Sequence, residues 1–77
     1  MRDRDPVVIL GGIADAMDGG CGRDEIVRIS TLIGSDRTSV CAAREHLADL
    51  LRIDRRYSGY TEADLVAFEL AREELVR

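Results

Sequence analysis

The stretch from Asp24 to Leu51, DEIVRISTLIGSDRTSVCAAREHLADLL, constrains the fold most, because it carries two helical periodicities that cannot belong to one straight helix. Ile26, Ile29, Leu32 and Ile33 recur at steps of three and four and predict an amphipathic helix over residues 23–33. Val40, Ala43, Leu47, Leu50 and Leu51 recur in the same way and predict a second helix over 35–51. Gly34 stands between the runs, where a left-handed residue would stop the first helix without a Cβ clash. Ser35 is then the expected cap of the second helix, its hydroxyl accepting a backbone N–H near Thr38, with Asp36 in the first turn suiting the helix dipole. Two such helices meeting at a corner need further elements to cover their apolar faces.

Those elements are readable on both sides. After a charged lead, 1–4, Asp5-Pro6 predicts a helix start with Asp5 as cap and proline in the first turn, running to about Asp18 and burying Leu10, Ile13, Ala14 and Met17. Gly11 and Gly12 inside it each cost about 1 kcal/mol relative to alanine, which close helix packing would explain. A phosphate-binding loop would need a following Lys and Ser/Thr that the sequence lacks. Three glycines in Gly19-Gly20-Cys21-Gly22 predict a loop with Cys21 exposed. From Arg52 to Tyr60 the periodicity changes, and Ile53, Tyr57 and Tyr60 around Ser58-Gly59 predict a short extended or hairpin piece. Thr61 and Asp64 form a T-x-x-D capping box, and Tyr60 and Leu65 occupy the two staple positions, opening a closing helix over 61–77. Its apolar stripe, Leu65, Phe68 and Leu75 with Val66, Leu70 and Val76, is wide enough to touch both a core and a partner.

The central pair resembles a helix-turn-helix. Ser30, Gly34 and Val40 match that family's spacing of a small residue, a turn glycine four later and a branched apolar residue six beyond it, and Ile29 and Ile33 fall on its apolar positions. Ser35 stands where an apolar residue is common. Over the whole chain the order resembles a winged helix-turn-helix domain of small bacterial and archaeal transcription regulators. The resemblance implies a mainly α fold, a helix-turn-helix core with four helices and a short β-hairpin wing over 52–60. It implies double-stranded DNA as the partner, with the second helix of the pair in the major groove. Carried over by position, Asp36, Arg37, Thr38, Cys41 and Ala42 would face DNA, with Arg44 on the flank. Arg37 would pair with guanine, Thr38 and Ser39 would bind phosphate, and Arg55 and Arg56 in the wing would reach the backbone or minor groove. A three- or four-helix bundle with a kinked linker is the competing architecture.

Composition weighs on function. The chain has 77 residues, one domain near the size where a single core is marginal, so size alone favours a homodimer, with the closing helix as the expected contact. At 45% apolar and 34% charged it is globular rather than disordered. The net charge of −4 opposes DNA binding, which depends on neutralising phosphates. Residues 23–60 nonetheless hold seven Arg against six acids, while both flanks are acidic. The rival reading is therefore a protein-interaction module or adaptor using the same helical surface, which suits the acidic balance better. An enzyme is not expected: the one imidazole, His46, lies five residues after Cys41 on the same helix, about 140° away around its axis. Cys21 and Cys41 lack the CxxC spacing of a zinc site and read as free thiols, so no metal or cofactor is expected. No segment approaches the ~18–20 apolar residues of a membrane span, and Val7 to Leu10 has the wrong flank for a signal peptide, which makes the cytoplasm the expected location.

Overall fold

A computed structural model describes residues 5–76, apart from the side chains of Arg55 and Ser58; the expected lead 1–4 and Arg77 lie outside the described residues. Among the described residues the fold is all helical, in the order α1 (Pro6–Ala16), α2 (Cys21–Gly34), α3 (Val40–Arg52), the single turn α4 (Arg55–Ser58) and α5 (Glu62–Val76). Each boundary has a local chemical cause. The Asp5 carboxylate accepts the Val7 N–H at 3.0 Å, and Pro6 begins α1 where its missing N–H leaves nothing unpaired. Gly19 and Gly20, at φ 100° and 96°, turn the chain into α2. The Ser39 hydroxyl accepts the Ala42 N–H at 3.0 Å and caps α3. Asp54 accepts the Arg56 N–H at 2.9 Å to start α4, and Gly59, at φ 76°, ends it. The capping box of α5 forms as expected: Thr61 N–H donates to Asp64 Oδ2 at 3.0 Å, and Asp64 N–H donates to Thr61 Oγ1 at 3.1 Å.

The turn between α2 and α3 differs from expectation. Gly34 is helical, and the left-handed residue is Asp36, at φ 60°. The Arg37 N–H bonds to the Leu32 carbonyl at 2.8 Å and the Asp36 N–H to the Ile33 carbonyl at 3.1 Å, the two bonds of a Schellman motif centred on Asp36. Ser35 does not cap α3; its hydroxyl donates back to the Thr31 carbonyl at 2.9 Å. The second helix of the pair thus starts at Val40 rather than Ser35. The expected wing is also absent: no strand occurs among the described residues, and α4 occupies the segment. The Asp54 cap and left-handed Gly59 favour a helical turn over a hairpin there.

The core draws one fully buried large side chain from each long helix: Leu10, Ile26, Leu47 and Phe68. Half-buried Tyr60 meets Phe68 edge-on, with ring centres 5.0 Å apart and planes at 89°, so the residue before the α5 cap is tied to the core. The extensive contacts are α1 with α2 and α3 with α5; α2 and α3 touch less. Consequently the small residues of the helix-turn-helix spacing serve α1. Buried Ser30 donates its hydroxyl to the Val7 carbonyl at 3.2 Å, and a Cβ on Gly34 would lie 3.4 Å from Val7 Cγ2. Gly11 and Gly12 are not close-packing positions, since a Cβ on either would meet nothing within 4 Å. No helix among the described residues is long and apolar enough to cross a membrane.

Candidate functional site

Two surfaces are candidates, and the first is the corner between α2 and α3. Arg37 is exposed in the loop ahead of α3, not on the helix. Thr38 is half-buried and lines a cleft of about 360 Å³ with Arg28, Leu32, Ala42 and His46. The Ser39 hydroxyl is engaged as the α3 cap, Cys41 is an exposed free thiol, and Arg44 is half-buried. Arg37 and Arg44 form no ion pair among the described residues. Arg56 lies beyond the far end of the thirteen-residue α3, about 20 Å of helix away. Its guanidinium bonds the Asp54 carboxylate at 2.9 Å, which holds its pKa above the usual arginine value, and it rests 5.8 Å from the centre of the Tyr57 ring. The Arg55 side chain lies outside the described residues. The structure therefore brings Arg37, Thr38 and Ser39 together at one corner and sets Arg56 apart from them. On the outward face of α3, Glu45 and Asp49 are exposed, and Arg52 bonds to Asp49.

One cluster at this corner was not anticipated from sequence. Glu25, on α2, receives Arg28 Nη2 at 2.6 Å and His46 Nε2 at 2.5 Å on the same oxygen, Oε2. Burial opposes ionisation of Glu25, but the hydrogen bonds from Arg28 and His46 outweigh it and hold the carboxyl below the usual range. An ionised carboxylate only accepts, so the shared proton belongs to His46 Nε2. The cluster ties α2 to α3 through side chains where their backbones touch little. Glu25 and Arg28 could be read as an i,i+3 helix pair. The part of His46, 21 residues further on, depends on tertiary structure.

The second surface is an apolar groove of about 580 Å³ between the C-terminal half of α1, the loop 17–20, the start of α2 and α5. Ile13 and Met17 form one bank, and Val66 and Leu70 the other, with Ala63 and Ala67 leaving the space between them. Val66 is 65% exposed and Leu70 44%, both on a helix whose opposite face is buried. None of the lining residues is basic, and two are acidic. Asp18 lies in the loop, and Asp64 is buried and bonded to Thr61. The expected glycine loop ends at Gly20: Cys21 and Gly22 are already in the first turn of α2, because Gly19 and Gly20, both at positive φ, complete the turn, and Cys21 stands exposed at the groove.

Comparison with family models, curated proteins and solved structures finds no match.

The signal for the groove was partly present in sequence. The stripe Leu65, Val66, Phe68, Leu70, Leu75 and Val76 is broader than one contact requires, and the structure divides it. Phe68 and Leu75 go inward, while Val66, Leu70 and Val76 stay exposed. Chemically the groove offers apolar contact bounded by negative charge. Among the described residues no group of three or more His, Cys, Asp or Glu side chains is placed to hold a metal ion.

Proposed function

We propose that this chain is a non-enzymatic protein-interaction module, with the groove between α1 and α5 as its docking surface. The observation that carries this reading is the exposure of Val66 and Leu70 along a 580 Å³ apolar groove, in a domain whose core is already closed by other residues. Apolar side chains gathered around a concavity gain free energy when a partner removes them from water, about 25 cal/mol per Å² covered. The acidic balance of the chain suits a protein partner better than a polyphosphate. The reading places the protein in the cytoplasm, where Cys21 and Cys41, both free and exposed, stay reduced.

A second reading is DNA recognition by the α2–α3 corner, as a small helix-turn-helix regulator without a wing. Arg37 and Arg44 favour it, since no carboxylate neutralises them among the described residues. Glu45 and Asp49 on the outward face of α3 oppose it through repulsion of phosphate. The two readings predict different covered surfaces. A photoreactive amino acid placed at Val66, and in a second chain at Cys41, separates them by cross-linking in the native cell. Protein adducts from position 66 that disappear with Leu70→Asp, and none from position 41, are expected. DNA adducts from position 41, lost with Arg37→Ala, would replace the first reading by the second.

A further inference from the structure

The groove's charge and shape say more about what fills it. Resting on the docking reading above, we infer that the occupant is a basic amphipathic helix of another protein. Two helices, α1 and α5, form the walls, and the apolar residues of the α5 wall pair at helical spacing, Ala63 with Val66 and Ala67, and Leu70 with Val66 and Ala67, three and four residues apart. Such a trough accepts the apolar stripe of a third helix, with anchors one turn apart. The charged residues that line it, Asp18 and Asp64, are both acidic. Glu69 and Glu73 fall within about 60° of Val66 around α5, whereas Arg72 falls about 120° away, roughly 60° beyond Glu69 on the same side and farther from the groove. Both glutamates are exposed, and Asp18 adds a third carboxylate at the loop end of the groove.

A partner with Arg or Lys flanking its apolar stripe meets attractive charge on entering. A second copy of this chain, docking by the same face, would bring the same acidic set, Asp18, Glu69 and Glu73, to the interface a second time. Charge complementarity therefore separates a basic helix from self-association through α5.

Two synthetic helical peptides test this against the full chain. They share one leucine stripe and differ only in having Arg or Glu on the flanks. Binding is followed by amide chemical shifts and by anisotropy at low and high salt, and sedimentation gives the oligomeric state. The Arg-flanked peptide is expected to shift the amides of Gly19, Gly20, Val66 and Leu70, and to bind about tenfold more tightly than the Glu-flanked one. Salt should narrow that gap, and Glu69→Arg with Glu73→Arg, both on the surface, should reverse it. If both peptides bind the groove equally, the basic partner is wrong and the docking surface remains. If neither shifts the groove amides and the chain is a dimer dispersed by Leu70→Arg, the occupant is a second copy, and again only the inference falls. If neither shifts them and the chain is monomeric, the inference and the docking reading fall together.

Discussion

Gly22, in the first turn of α2, lies so close to Asp64 that a Cβ added to it would sit 2.3 Å from the Asp64 Cγ and 2.7 Å from its Cβ. Asp64 cannot easily yield, because it is buried and its carboxylate accepts the Thr61 N–H that opens α5. The contact therefore sets how closely the N-terminal ends of α2 and α5 approach, and with it the floor of the groove. Gly22→Ala should destabilise the fold by about 1–3 kcal/mol, as overpacking of a closed site does. Chemical denaturation of the single and double variants checks the cause. With Asp64→Ala alongside, the losses should fall short of additive by more than about 0.5 kcal/mol. Simple additivity would mean that the two residues do not share the contact.

The glycines of α1 should behave in the opposite way. Gly12 is exposed and helical, and nothing lies within 4 Å of where its Cβ would be. Gly12→Ala removes backbone freedom from the unfolded chain and strains nothing, so it should stabilise by about 0.5–1 kcal/mol. The midpoint of urea unfolding should rise at constant slope. A fall would reveal a close neighbour of α1, for instance a partner copy packed on Gly12.

The contrast between these glycines shows what the sequence could convey. Local chemistry was legible. The Asp5-Pro6 start, the Thr61–Asp64 box and the helical spacing of the buried residues in all four long helices are visible in residues a few positions apart. The α2–α3 turn was not. Ser35, Asp36 and Ser39 can all cap or turn a helix, and the choice of Asp36 for the left-handed position and Ser39 for the cap depends on where α3 packs against α5. Gly11, Gly12 and Gly22 look alike as letters, yet only Gly22 faces another helix closely. The Arg52–Tyr60 segment was misread because tyrosines beside a glycine suggested a hairpin, whereas Asp54 had already supplied a helix cap. Of the candidate sites, the apolar stripe of α5 was anticipated. The groove was not, since it needs Ile13 and Met17 brought across from α1.

The Schellman turn gives a third prediction. Asp36 holds φ 60°, where a Cβ costs free energy, and its N–H is bonded to the Ile33 carbonyl. Asp36→Gly should stabilise by up to about 1 kcal/mol, whereas a β-branched residue such as valine should destabilise by about 1–2 kcal/mol. Gly34 needs no such freedom. Its Cβ would make ordinary contact with Val7, so Gly34→Ala should be tolerated or slightly stabilising. A large loss from Gly34→Ala, with none from Asp36→Val, would return the left-handed position to Gly34.

The Glu25 cluster predicts a pH dependence with a definite sign. Arg28 and His46 both donate to its carboxylate and hold its pKa in the fold below the ordinary 4.5. The unfolded chain therefore binds the proton more readily than the folded one. The stabilisation is fully present above the unfolded-state value and is lost as pH falls through the lower folded value. Glu25→Gln keeps the size of the side chain but removes the charge. At neutral pH it should cost about 1 kcal/mol, the low end for charge-assisted bonds, because Arg28 is half exposed and its contribution is screened. The difference between wild type and Glu25→Gln should shrink as pH drops below 4.5, because the unfolded wild type takes up the proton first, and should level off only below the lower folded value, where folded Glu25 carries it too. Denaturant unfolding across the acid range, at fixed ionic strength, measures that difference directly. A gap that stays constant through this window would mean that the carboxylate charge does not contribute to the tie between α2 and α3.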